Sequence, residues 1–233
     1  MTSPQNPPYG TPDTPLLTVR GEAELEVDPE IARIGVTVTA RGKDRRTTLD
    51  DLTHRNATVL ELLKSYGDAV ENLSTGAVSL TPELGQRGRG ERVRTYHGTV
   101  HLTAELTDFT ALGELTTRLA DLDLTGVDGP SWALRTDSPA YRQARQQAVQ
   151  DAVQRAKEYA QALGTTVAAL IELADTGTGA SGLRPQAAYG GRMTRSAVMA
   201  KGEPAPDPLD LEPQRMQIRA EVSAQFTMNP PTL

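Results

Sequence analysis

Three histidines are the first residues on which metal or acid–base chemistry could rest. His97 and His101 stand four apart in a segment of alternating apolar residues. On a strand they share a face, about 13 Å apart at roughly 3.3 Å per residue. One metal ion cannot span that gap, because its ligands lie within about 2–2.3 Å of it. His54 sits among Thr53, Arg55 and Asn56 on the polar side of a helical segment. The spacing therefore implies surface histidines and no metal ligands.

Gly177-Thr-Gly179-Ala-Ser-Gly182 spells a dinucleotide-type glycine pattern after a strand. That chemistry needs a helix to begin there, so that its N-terminus receives the pyrophosphate. Leu183-Arg-Pro-Gln follows instead, so the expectation is a loop without a cofactor. Glu22, Glu24 and Glu26 alternate with apolar residues and form a solvated stripe, whereas a catalytic carboxylate pair must be crowded or desolvated. There is no nucleophile elbow and no phosphate-binding P-loop. Zero cysteines exclude disulfides, thiolate ligands and cysteine nucleophiles. The chain is expected to be non-enzymatic, with no catalytic residue and no cofactor.

Two basic features remain. Arg87, Arg89, Arg92 and Arg94 crowd the glycine-rich hairpin tip Gly85–Arg94, and Arg184, Arg192, Arg195 and Lys201 follow later. Charge runs are usually solvated. The functional alternatives are an anionic or acidic ligand, or a contact with another subunit. A net charge of −6 argues against nucleic acid, whose binders displace counterions with excess positive charge.

The elements that would carry these residues follow from periodicity. Leu17–Val27 and Ala32–Ala40 alternate strictly and, with Asp28-Pro29 between them, read as a hairpin. Thr47–Tyr66 has helical periodicity and stops at Gly67. A strand pair follows around Val70–Leu84 and Val93–Leu106, then a short helix Phe109–Leu119 capped by Asp108. After a strand near Trp132–Arg135 comes a helix with alanine at 140, 144, 148, 152, 156 and 160, capped by Ser138 with Pro139 in its first turn. Its apolar face is mostly methyl groups and allows close backbone approach. Ala144, Ala148, Ala152 and Ala156 serve either packing within the domain or a subunit interface. Val167–Leu173 and Ile218–Met228 read as further strands.

The order ββα-ββα-βα-β-β implies an α+β fold, mainly antiparallel sheet with three helices on one face. Residues 1–15 read as a disordered Pro-rich leader, 16–229 as one domain, 175–208 as a flexible Gly/Pro/Ala-rich loop within it, and 230–233 as a tail. No window approaches the apolar length of a membrane helix. The first residues lack the pattern of a secretory signal, so the expectation is a soluble, cytoplasmic protein.

In their order these segments resemble the SIMPL-domain family. Val19-Arg-Gly-Glu-Ala-Glu-Leu-Glu-Val-Asp-Pro-Glu-Ile-Ala-Arg-Ile resembles the family's opening "V-x-G-x-G-x-v-x-v-x-P-D-x-A-x-i". Asn56-Ala57 is similar to its "n-A" position, and Leu80-Thr-Pro82 to its "l-x-P" strand. Ser138–Gly164 is similar to its alanine-spaced helix, and Ile218–Phe226 to its closing strand. Ala23 stands where the family has its second glycine, and Glu30 where it has aspartate.

The resemblance covers about Leu16 to Met228 and carries expectations of its own. The family's bacterial members are typically exported and linked to oxidative-stress defence. They include a periplasmic immunogenic protein that assembles into large rings. The resemblance thus implies a homo-oligomer with a stress-defence or scaffold role, and a periplasmic or cell-surface location as the alternative. It brings no established catalytic residues. The competing expectation is a monomeric module that takes a peptide or anion at the Arg-rich hairpin.

Overall fold

The structure, a computed structural model, describes residues 10–84, 93–181 and 207–232. Along the chain come β1 (Leu16–Val27), β2 (Ile31–Gly42), α1 (Arg45–Ser65), β3 (Val70–Leu84), β4 (Val93–Leu106), α2 (Phe109–Ala120), β5 (Thr125–Ala133), α3 (Pro139–Ala162), β6 (Val167–Ser181) and β7 (Met216–Met228). The fold is α+β and the strand pairing is antiparallel. The strands form two sheets, ordered β1-β7-β6 and β3-β4-β2-β5. The chain divides into two compact units. One holds the described residues 10–28, 135–181 and 215–232, the other 29–84, 93–134 and 207–214.

This division corrects two expectations. β1 and β2 are not a hairpin: β1 pairs with β7, from Leu16↔Thr227 to Val27↔Met216, and β2 pairs with β4 and β5. Alternation reports that a strand buries one face, and it is silent about which strand lies beside it. Nor do the three helices share one sheet. α1 and α2 pack on the four-stranded sheet, and α3 packs on β1 and β7.

In the four-stranded unit one sheet face is buried. Ile34, Val36, Val38, Leu102 and Leu106 meet Leu52, Val59 and Leu63 of α1 and Leu112, Leu115 and Leu119 of α2. Each such side chain contributes roughly 1.5–3 kcal/mol of burial. Phe109 meets Trp132 edge-on, with ring centroids 4.9 Å apart. Caps fix where the helices begin. Asp44 accepts from the Arg46 and Thr47 amides, Asp108 from those of Thr110 and Ala111, and Ser138 from that of Ala140. Near the start of α1 the polar Thr48 is buried and Leu49 is exposed.

A third correction concerns the loop expected over 175–208. β6 runs on to Ser181, pairing Asp175↔Val222 through Ser181↔Gln217. Its backbone ladder needs no apolar alternation, so this end of the strand leaves no periodic trace. The register shifts between Asp175 and Gly177, where Gly177 has φ +129° and the Asp175 carboxylate accepts its N–H at 2.9 Å. Such a bulge suits glycine. Gly177 and Gly179 therefore belong to a strand, and the rest of the expected loop, 182–206, lies outside the described residues.

Candidate functional site

Of the arginines singled out in the hairpin, Arg87, Arg89 and Arg92 lie outside the described residues. Arg94 is the second residue of β4 and is exposed. Close by, Glu83 accepts from Thr95 at 2.7 Å and pairs with Arg41. The Thr95 hydroxyl first, then Arg41, hold its carboxyl below the usual carboxylate range, with a smaller contribution from Arg94. In the described part of the hairpin, then, cations and an acid already neutralise one another.

The alanine ridge lies wholly inside its unit. Ala140, Ala144, Ala148, Ala152, Ala156 and Ala160 are each at most 9% exposed, under the sheet made by β1 and β7. Gly21 of β1 explains the small side chains. A Cβ at Gly21 would fall 2.0 Å from the Ala148 carbonyl and 2.6 Å from the Ala152 nitrogen. The Asp151 carboxylate also accepts the Glu22 N–H, at 2.9 Å. These methyl groups are spent on the chain's own sheet and leave Ala144, Ala148, Ala152 and Ala156 no surface for a second subunit.

The acidic stripe is a cross-strand ladder. Arg20 pairs with Glu22 and Glu221, Arg219 with Glu24 at 3.3 Å, and Arg215 with Asp28 at 3.3 Å. The Arg20 hydrogen bond holds the Glu221 carboxyl low, and Arg20 is raised in turn. Exposed pairs of this sort contribute little each and set register more than stability. His97 and His101 lie on the open face of their sheet, where the His101 ring meets the Thr37 hydroxyl at 3.0 Å. Among the described residues no three His, Asp or Glu side chains cluster closely enough to hold a metal ion.

Two further features were not drawn out of the sequence. The first is a cleft of about 800 Å³ between α1 and α2, lined by Thr58, Leu62, Glu114, Arg118, Asp121 and Pro208 among others. Arg118 pairs with Glu114 at 3.4 Å and donates to the Tyr66 hydroxyl at 3.2 Å, its guanidinium 5.6 Å from that ring's centroid. Burial pushes the Tyr66 phenol up. The segment 207–211 forms one wall. Leu209 donates to the Thr117 hydroxyl at 3.0 Å, and its carbonyl sits where a Cβ of Gly113 would be, 2.2 Å away. A glycine inside α2 was the available clue, since it costs about 1 kcal/mol against alanine there.

The second feature is the edge strand β6, which has β7 as its sheet neighbour. Leu170 (53%), Ile171 (40%) and Leu173 (45%) are exposed along it. The unbroken apolar run Val167-Ala-Ala-Leu-Ile was the clue here, because a strand with one covered face alternates. β3 is a second long edge, with Val78 and Leu84 exposed.

No helix among the described residues is long and apolar enough to cross a membrane. No curated protein matches this chain. Residues 17–226 match the family described as SIMPL, protein of unknown function (DUF541), a span covering most of the sequence, and the chain belongs to that family.

Proposed function

We propose that this chain is a non-catalytic, self-associating SIMPL-family protein with a stress-defence or scaffold role. The observation that carries self-association is β6. A long edge strand presents unpaired backbone donors and acceptors to any strand laid beside it. Soluble proteins ordinarily blunt such edges with lysine, proline or a covering loop. β6 carries no lysine or proline, and it exposes Leu170, Ile171 and Leu173. The non-catalytic reading is supported by what the charged side chains do. Arg20 and Arg219 of the three-stranded sheet pair across strands, Asp44 caps α1 and Arg55 pairs with Asp51. The stress-defence role draws on the family resemblance alone.

Size-exclusion chromatography with light scattering is the direct test. At tens of micromolar the particle should exceed the 25.0 kDa of one chain by an integer factor. A strict monomer across that range would sink the proposal.

A further inference from the structure

We propose that the groove between α1 and α2 binds a linear aliphatic polyamine, its methylenes on an apolar floor and its ammonium groups on carboxylates that no described residue pairs. The cleft described above continues into a second recess of about 270 Å³. The two share Thr58 and Leu122, so they run end to end beside α1. From Asp51 to Leu62 that is about 16 Å at 1.5 Å per residue. The floor is apolar, with Leu62, Val59, Leu122 and Pro208 along its length. One wall is built for the purpose of staying in place: segment 207–211 is tied by the Leu209–Thr117 hydrogen bond, and Leu211 packs on the core.

Charge then selects the ligand. The groove holds two arginines, and both are engaged: Arg55 with Asp51 at 3.0 Å and the Asp123 carbonyl at 3.2 Å, and Arg118 with Glu114. Asp121, Asp123 and Asp207 also line it, and their carboxylates accept no hydrogen bond or ion pair from any described residue. Asp121 is the C-cap of α2, so the negative pole of that helix adds to the same field. Among the described residues this leaves about three negatives without a cation, spread along the apolar trough. Anions are repelled by it, and a single compact cation would leave the floor uncovered. A flexible chain of methylenes with ammonium groups at intervals satisfies floor and rim together.

This inference stands on a different element from the self-association of β6, and calorimetry reads it without reference to particle size. Spermidine titrated into the full chain should bind saturably, one per chain. D121N/D207N should weaken that binding by about tenfold, two surface charge contacts at the upper part of their usual range. E24Q/E26Q, on the ladder of the other sheet, should leave it unchanged. Asparagine is well tolerated at a helix C-terminus, and circular dichroism checks that both variants fold. At equal charge, 1,8-diaminooctane should outbind 1,3-diaminopropane, by about fourfold for each methylene that packs down. Absence of saturable binding, equal weakening by the two variant pairs, or indifference to chain length would each overturn the proposal.

Discussion

Gly21 of β1 lies so near Ala148 of α3 that a Cβ on the glycine would stand 2.0 Å from the alanine's carbonyl oxygen. The helix is held at backbone distance from the strand, and both partners must be small. Gly21→Ala has to push α3 away along its length or break β1 from β7. Overpacking of this kind costs typically 1–3 kcal/mol, and the contact here is with backbone, which has no rotamer to escape into. Gly179→Ala is the control, since nothing lies within 4 Å of a Cβ there, and its effect should stay within about 0.5 kcal/mol. Urea unfolding of the two variants checks the difference; equal midpoints would mean the contact is not tight.

The same approach explains the ridge. Ala148→Leu should destabilise the fold by about 1–3 kcal/mol through overpacking and leave the particle mass untouched, because Ala148 is fully buried in its own chain. Denaturation and light scattering on one sample decide it. A change in mass without loss of stability would return the ridge to a role between subunits.

How far the sequence discloses this arrangement depends on how local each feature is. The alternation in Leu17–Val27 and Ile218–Met228, the caps at Asp108 and Ser138, and the alanine period of α3 are all local, and all appear as expected. The pairing of Leu16 with Thr227 is not local, and a turn-like Asp28-Pro29 favours the wrong neighbour for β1. The far half of β6, Asp175-Thr-Gly-Thr-Gly-Ala-Ser181, has no large apolar residue, so no alternation marks it. The cleft draws on residues 58, 118 and 207, which no spacing rule connects. The hairpin arginines were legible as a charge cluster because they adjoin in sequence, and Arg94 alone of the four falls within the described residues.

Acid should loosen the start of α1. Asp44 caps that helix, and hydrogen bonds from the Thr47 amide and then the Thr47 hydroxyl hold its carboxyl below the usual range. A native pKa below the unfolded one means the stabilisation is complete above the ordinary carboxylate pKa of about 3.9. It is lost as pH falls through the lowered native value. Melting temperature followed from pH 7 toward pH 2–3 should therefore fall more steeply for the parent than for Asp44→Asn, which keeps a cap without the titration. Parallel curves would show that the cap does not couple to stability.

Gly113 sets two effects against each other. Alanine there gains about 1 kcal/mol of helix propensity, yet its Cβ would meet the Leu209 carbonyl at 2.2 Å. The propensity gain cannot open space in a backbone contact, so segment 207–211 must lift. Hydrogen exchange should show the Leu209 amide losing protection in Gly113→Ala, while β2 and β4 keep theirs. Protection unchanged at Leu209 would mean that the wall of the cleft is held from elsewhere.

The edge strand offers the sharpest separation of folding from assembly. Leu170 and Leu173 are exposed, so replacing them removes little from the core, and surface substitutions of this kind usually move stability by less than about 0.5 kcal/mol. Lysine at both positions would place two charges on the open edge of β6, the device by which natural sheets repel a neighbouring strand. L170K/L173K should melt close to the parent yet sediment as a smaller particle. Charge alone is not the cause if Leu170→Ser with Leu173→Ser also dissociates, in which case the lost apolar contact carries the effect. Val78→Lys on β3, an edge of the other sheet, serves as the comparison, since that residue is exposed too. Dissociation by the β6 pair and none by the β3 variant places the interface on β6, and the reverse pattern moves it to β3.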